Sequence, residues 1–312
     1  MLKQKYSTND LGVSFAILVI AVIAVSLIAG IISAVTGIDL NNNVFNIVVN
    51  VVNTLAIGGV AFVYAAISKT NVVSATKIKQ KPPIAHIGWG CLATLFLITC
   101  MIPLNNWIAE GIVALGLPRP DVDIQMDIVS MIIVACILPA FCEEVIFRGT
   151  IATALEGNKN KLASLAIVGG LFSVFHMNPA QTVHQFVFGA FLALLVYRSG
   201  SLWTAVIIHF LNNITVVILS VTLGDKVDAF FIQNGIWLFF VGLIGFAGCI
   251  AGYLFTTKSK WQTDEEQTKI SKGSLAMLLV AVGVCLFMWI MNLVVPSSTE
   301  QETLAMLQSL VK

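Results

Sequence analysis

A helical bundle that crosses a membrane many times is the fold class this sequence predicts. Two observations predict it: 58% of the residues are hydrophobic and only 11% are charged, against roughly 25% charged in an ordinary soluble domain. The apolar residues are also gathered into runs near or above the ~20 residues that a spanning helix needs. Net charge is +1, from 17 basic and 16 acidic residues among 312, so there is no basic surplus of the kind that binds nucleic acid. The six cysteines, Cys91, Cys100, Cys136, Cys142, Cys249 and Cys285, lie in apolar segments without C-x-x-C spacing. They read as small apolar residues, neither a disulfide framework nor a thiolate metal site.

Nine candidate segments follow, at about 12–35, 44–67, 85–103, 126–155, 162–176, 181–197, 202–222, 233–256 and 275–295, giving an all-α polytopic bundle of about 8–9 transmembrane helices in a single membrane domain, 1–312. The first begins after Lys3 and Lys5 and runs uncharged from Leu11 to Ile38. That is longer than the ~7–15 residues of a signal h-region, so it reads as a retained helix. With the N-terminus inside, fourteen of the 17 basic residues fall on the inner side, leaving Arg119, Lys226 and Lys312 outside. This asymmetry orients the chain.

The second segment places Asn46, Asn50 and Asn53 on one face, as hydrogen-bond glue toward a neighbouring helix. The loop from Lys69 to Lys81, closed by Pro82-Pro83, reads as an inner anchor, with His86 solvated at the interface. The third segment ends at Pro103. It opens an outer connection, 104–125, with Trp107 in an aromatic belt and Asp121 and Asp123 in solvent. The loop from Lys258 to Lys272, with Asp264, Glu265 and Glu266, reads as a solvated connector, and 300–312 carries little information.

The fourth segment breaks the apolar pattern with Glu143-Glu144-Val145-Ile146-Phe147-Arg148. A charge at bilayer depth costs at least ~2.5–3.5 kcal/mol on insertion scales and marks a functional site by default. Pro139 removes the backbone bond to residue 135 and kinks the helix ahead of Glu143. Glu143 and Glu144 point about 100° apart, and Glu144 and Arg148 are i, i+4 neighbours. A support pair is therefore expected from Glu144 and Arg148, with Glu143 left to face His176 and His209 as they arrive from other helices. From Lys161 to His176 the helix rises only ~22 Å against a ~30 Å core. The fifth and sixth segments thus form a shortened hairpin that brings His176 to mid-depth, with Phe172 one turn below. His209 and Asn213 share a face of the seventh segment. Convergence of Glu143, Glu144, His176, His209 and Asn213 explains three helices better than three separate desolvated sites would.

A carboxylate, two imidazoles and a carboxamide in an apolar site can activate water and donate to a developing oxyanion. The same residues, Glu143, His176 and His209, also form a possible zinc set with water as fourth ligand. H-E-x-x-H and G-x-S-x-G are both absent, and Ser173 points off the face of His176. Buried Glu and His also mark proton relays, although no inverted repeat of the motif helices is visible in the first four segments.

Together, Glu143-Glu144-x-x-x-Arg148, Phe172-x-x-x-His176 and His209-x-x-x-Asn213, with Gly200-Ser201-Leu202-Trp203 opening the last helix, resemble the CPBP family of intramembrane proteases. That family includes CAAX prenyl endopeptidases of the Ras-converting type and bacterial Abi bacteriocin-immunity proteins. The resemblance covers about 126–222, leaving accessory helices in 1–103 and 233–295. It implies an endopeptidase in which Glu143 and His176 activate water and His209 and Asn213 hold the oxyanion. Glu144, Arg148 and Phe172 support them. No cofactor is required in that mechanism, with zinc as the alternative. The implied substrate is a peptide or lipid-modified protein met at the membrane lipid, in a bacterial cell membrane, with the site toward the cytoplasmic side. A non-catalytic adaptor and a proton-coupled transporter are the competing classes. His184, claimed by no motif, is expected to be a structural histidine.

Overall fold

Apolar runs set the helix lengths, and small residues and proline decide how closely the helices approach. In the computed structural model, which describes residues 2–39, 42–120, 126–261 and 269–295, the order is α1 (Thr8–Thr36), α2 (Asn43–Ile67), the single turn α3 (Val72–Ala75), α4 (Ile84–Ala114), α5 (Ile128–Leu155), α6 (Lys161–His176), α7 (Thr182–Ser199), α8 (Leu202–Leu223), α9 (Asp225–Thr256) and α10 (Lys272–Val294). Among the described residues, eight of these helices are long and apolar enough to cross a membrane. The chain is an all-α polytopic bundle.

The ninth apolar helix, α6, has 16 residues and so spans about 24 Å. Asn160 caps its start by accepting from Ala163 N at 3.0 Å. Met177, left-handed at φ 50°, ends it. The turn that follows is covered by α10: Asn292 Nδ2 donates to the Met177 carbonyl at 2.9 Å, and Trp289 Nε1 to Thr182 Oγ1 at 2.9 Å. Irregular backbone within a bundle of membrane helices persists where protein satisfies it in this way.

At the opposite end of the bundle four connections meet. Lys3 is strung along the 69–71 loop, its N–H donating to the Lys69 carbonyl and its carbonyl accepting from Asn71 N. Lys77 pairs with Glu156, Lys260 N donates to the Arg198 carbonyl, and Trp261 Nε1 donates to the Glu156 carbonyl. The Gly200-Ser201-Leu202-Trp203 motif belongs to this knot: Ser201 Oγ donates to the Gln80 carbonyl and Trp203 Nε1 to the Ile78 carbonyl. The start of α8, and with it the height of His209, is therefore set by the 76–83 loop.

Several expectations are corrected. Helix α4 does not stop at Pro103 but runs on to Ala114. One missing hydrogen bond does not end a helix held laterally, and Gly235 of α9 lies against both Pro103 and the Trp107 ring. His86 is buried, its Nδ1 2.8 Å from the Tyr253 hydroxyl, because α9 packs along α4 to its first turn. The amide of Asn50 donates to the Asn46 carbonyl and side chain of its own helix, with no bond to a neighbouring helix among the described residues. Helix α9 begins at Asp225, ahead of the expected 233. Asp10, which attracted no attention in the sequence, is buried and accepts from the Tyr64 hydroxyl at 2.6 Å and from Ser7. Asp121, Asp123, Asp264, Glu265, Glu266 and 300–312 lie outside the described residues.

Candidate active site

Helix α5 carries the first part of the site and is not a regular helix. Its central α-helical stretch, Leu138–Ile146, lies between two π-helical stretches, Ile132–Ile137 and Phe147–Ala152. Wide turns of this kind recur at functional sites. Pro139 has no N–H to offer the Ala135 carbonyl, and that carbonyl instead accepts from Asn213 Nδ2 of α8 at 2.8 Å. From Cys142 to Leu155 every residue is buried, so this half of α5 is surrounded by protein on all sides. Close approach of α2 contributes: a Cβ at Gly58 would come within 2.9 Å of Cys142.

The two carboxylates are divided between the two histidines. Glu143 is nearly buried, and its Oε2 has no hydrogen-bond partner. It stands 3.8 Å from His176 Nε2, beyond direct hydrogen-bond distance. The other ring nitrogen of His176, Nδ1, is 2.8 Å from the Phe172 carbonyl. A carbonyl only accepts, so Nδ1 carries the proton and, in the neutral ring, Nε2 presents its lone pair toward Glu143. Glu144 is fully buried. Its Oε1 accepts from Arg148 NH1 at 2.7 Å and from His209 Nδ1 at 2.7 Å. Arg148, also fully buried, sends NH2 to the Gly189 carbonyl at 3.0 Å.

Phe172 ties these groups together. Its ring is 4.4 Å from the Arg148 guanidinium carbon, a cation–π contact. It is also 4.4 Å from the His176 ring and edge-on to His209 at 6.1 Å. The ring reaches this position because α6 and α7 approach without side chains between them. A Cβ at Gly169 would sit 2.5 Å from the Phe186 carbonyl, and one at Gly189 would sit 2.9 Å from Phe172 Cβ.

Helices α5, α6 and α8 thus bring Glu143, Glu144, Arg148, Phe172, His176 and His209 into one cluster, and the i, i+4 pair of Glu144 with Arg148 is present. One expectation changes: Glu143 does not face both histidines, because His209 is held by Glu144. Asn213 points to Ala135 through one of its two N–H bonds. Ser173 is turned away, donating to the Thr182 carbonyl at 2.7 Å. His184 is buried beside Asn105, with Asn105 Nδ2 3.3 Å from its Nδ1. Sequence reasoning missed Gly189, whose contribution is a backbone carbonyl and the absence of a side chain. It also missed Asn105 and Asn212, which carry no motif; Asn212 was detectable only as the neighbour of Asn213.

The sequence also offers Glu143, His176 and His209 as a zinc set. Among the described residues no group of three His, Cys, Asp or Glu side chains has the spacing to hold an ion.

No curated protein matches the chain. A family model described as type II CAAX prenyl endopeptidase, Rce1-like, matches residues 125–215. That interval contains every residue of the cluster just described. Over residues 125–215 the chain is thus similar to the Rce1-like, type II CAAX prenyl endopeptidases, the family its motifs resemble.

Proposed function

We propose that the protein is an intramembrane endopeptidase that hydrolyses a peptide bond with water activated by Glu143 and His176. One observation carries the reading: of two neighbouring buried carboxylates, one is neutralised by Arg148 and bonded to a histidine, while the other keeps an unpartnered oxygen 3.8 Å from a histidine nitrogen. Two acceptors at that separation suit one water about 2.8 Å from each, donating a hydrogen to both.

In the reaction, Glu143 takes a proton as the water oxygen attacks the scissile carbonyl carbon. The oxyanion that forms accepts from His209 Nε2–H and from the second N–H of Asn213. The proton then passes from Glu143 to the amide nitrogen, the C–N bond breaks, and a carboxylic acid and an amine form; the water's second proton moves from the acid to the amine, through His176 Nε2, and the products leave as carboxylate and ammonium. His209 donates at Nε2 when its ring carries both protons. The cluster is then neutral overall: Glu143 and Glu144 balance Arg148 and His209, with His176 uncharged. Balance of this kind is what makes buried charges tolerable.

The substrate class is a peptide or lipid-modified protein tail that reaches the cluster from the bilayer. The protein sits in a bacterial cell membrane, with the basic end of the bundle and the site's entrance toward the cytoplasm. No metal takes part. The test is cleavage of a fluorogenic prenylated peptide and comparison of membrane peptidomes between wild type and Glu143→Gln. Cleavage at the wild-type rate in Glu143→Gln and His176→Ala would remove this mechanism, and a phenotype that survives both would favour an adaptor.

A further inference from the structure

Next to the cluster lies a second group of buried polar side chains that the proposed chemistry does not use. His184 of α7 and Asn212 of α8 are both more than nine-tenths buried. Asn105 of α4 faces His184, and Asn212 Nδ2 donates to Asn213 Oδ1 at 3.0 Å. Among the described residues three atoms of the group have no hydrogen-bond partner, Asn105 Oδ1, His184 Nε2 and Asn212 Oδ1, and the side chains of His184 and Asn212 lie within interaction range of each other.

The directions of these bonds can be worked out from one end. The Ala135 carbonyl can only accept, so the atom of Asn213 that meets it is the amide nitrogen, and Oδ1 faces Asn212. Oδ1 in turn can only accept, so Asn212 presents its nitrogen to Asn213 and its oxygen toward His184. From the other end, Asn105 Nδ2 donates to His184 Nδ1, and a neutral imidazole that accepts at Nδ1 carries its proton at Nε2. The unpartnered atoms of His184 and Asn212 are therefore complementary, one donor and one acceptor. They close the chain directly or through a single water.

We infer that His184 and Asn212 are positioning residues of the hydrolase: a one-directional hydrogen-bond chain from Asn105 through His184, Asn212 and Asn213 to the Ala135 carbonyl sets which face of the Asn213 amide meets the substrate. A carboxamide has two faces of nearly equal shape and opposite polarity. With the nitrogen forward, Asn213 donates to the oxyanion; flipped, it sets an oxygen lone pair against that negative charge. The Ala135 carbonyl, released by Pro139, is the fixed end that breaks the symmetry. The oxyanion exists only in the transition state, so the chain acts on kcat and leaves KM in place.

This inference rests on the peptidase reading, and its test separates the two. His184→Leu and Asn105→Leu are each expected to lower kcat about tenfold or more with KM within twofold of wild type. His184→Gln, which keeps a donor at the position of Nε2, is expected to stay within about threefold of wild type. Combining His184→Leu with Asn212→Leu is expected to cost no more than the larger single loss, because either cut breaks the same chain. Losses that multiply, or a change confined to KM, overturn the inference. If wild type cleaves nothing, the peptidase reading fails, and the chain is judged by nitrogen NMR of the ring. With four histidines in the protein, His184→Gln assigns the signal. The Nε2–H tautomer supports the chain, and the Nδ1–H tautomer overturns it whether or not the protein is a peptidase.

Discussion

Replacing Arg148 by methionine tests the electrostatic design of the cluster most directly. The guanidinium is fully buried, donates to Glu144 at 2.7 Å and to the Gly189 carbonyl at 3.0 Å, and rests on the Phe172 ring. Methionine restores much of the volume but none of the charge. The carboxylate of Glu144 is left buried with His209 as its remaining partner, and removing one member of a buried pair costs about 3–5 kcal/mol. The orphaned Gly189 carbonyl lies within that range, since the terms share one side chain and do not add. The sign-sensitive comparison is the double variant Arg148→Met with Glu144→Gln. Both charges are then gone, a neutral amide still meets His209, and the residual loss falls to about 1–3 kcal/mol, the cost of one unsatisfied buried carbonyl.

Thermal unfolding in detergent with a thiol-reactive fluorophore reads this out. Cys100, Cys136, Cys142, Cys249 and Cys285 are buried in the folded state and report their own exposure. The single variant is expected to melt on the order of 10 °C below wild type, and the double variant between the two. A double variant that melts below the single would refute the view that uncompensated charge dominates. So would a single variant within a couple of degrees of wild type. Neither variant is expected to cleave substrate, because His209 loses its place in the charge balance in both.

Glu143→Gln is expected to behave in the opposite way. Its Oε2 has no partner to lose, and a singly protonated His209 keeps the cluster neutral without it, so the melting temperature should hold within about 2 °C, or rise, while the cleavage rate falls by roughly 10²–10⁴ or more; a matching loss of stability would make Glu143 structural. Gly189→Ala drives a Cβ to within 2.9 Å of Phe172 Cβ and 3.1 Å of the Gly169 Cα, and overpacking of this kind costs about 1–3 kcal/mol. Gly170→Ala, whose Cβ meets nothing within 4 Å, is the control and should leave both stability and activity unchanged. Chelator treatment is expected to leave cleavage at its initial rate, and a loss restored by added zinc would put the metal reading in first place.

The parts of this site legible in the sequence are those whose signal is cost or period. Charges at 143, 144 and 148 stand out because apolar surroundings make them expensive, and the pairing of Glu144 with Arg148 follows from helical spacing alone. That spacing held because residues 143–146 are α-helical and Arg148 is only the second residue of the wide turn that begins at Phe147. What periodicity does not carry is which partner a side chain chooses across helices. His209 was expected to face Glu143, yet a single rotation of α8 decides between carboxylates that point about 100° apart, and that rotation is set far away, where Ser201 and Trp203 bond to the 78–80 backbone. The same reason hid the burial of His86, which depends on the packing of α9, and the use of Trp289 and Asn292 to cover the turn after His176.

The two groups of polar side chains also explain why Pro139 is placed where it is. A proline one turn before Glu143 is, on its own, a defect: it leaves one carbonyl without its helical donor at a depth where water is scarce, an omission worth about 1–3 kcal/mol. With Asn213 donating to that carbonyl, the defect becomes a fixed acceptor joining α5 to α8 directly beside the carboxylate that the mechanism needs. A regular helix would satisfy Ala135 internally and leave the Asn213 amide free to turn over. Replacing Pro139 by alanine should therefore stabilise α5 while loosening the site. Melting temperature should hold or rise, kcat should fall, and KM should stay. A Pro139→Ala enzyme with full kcat would mean that the broken backbone bond serves only to bend the helix.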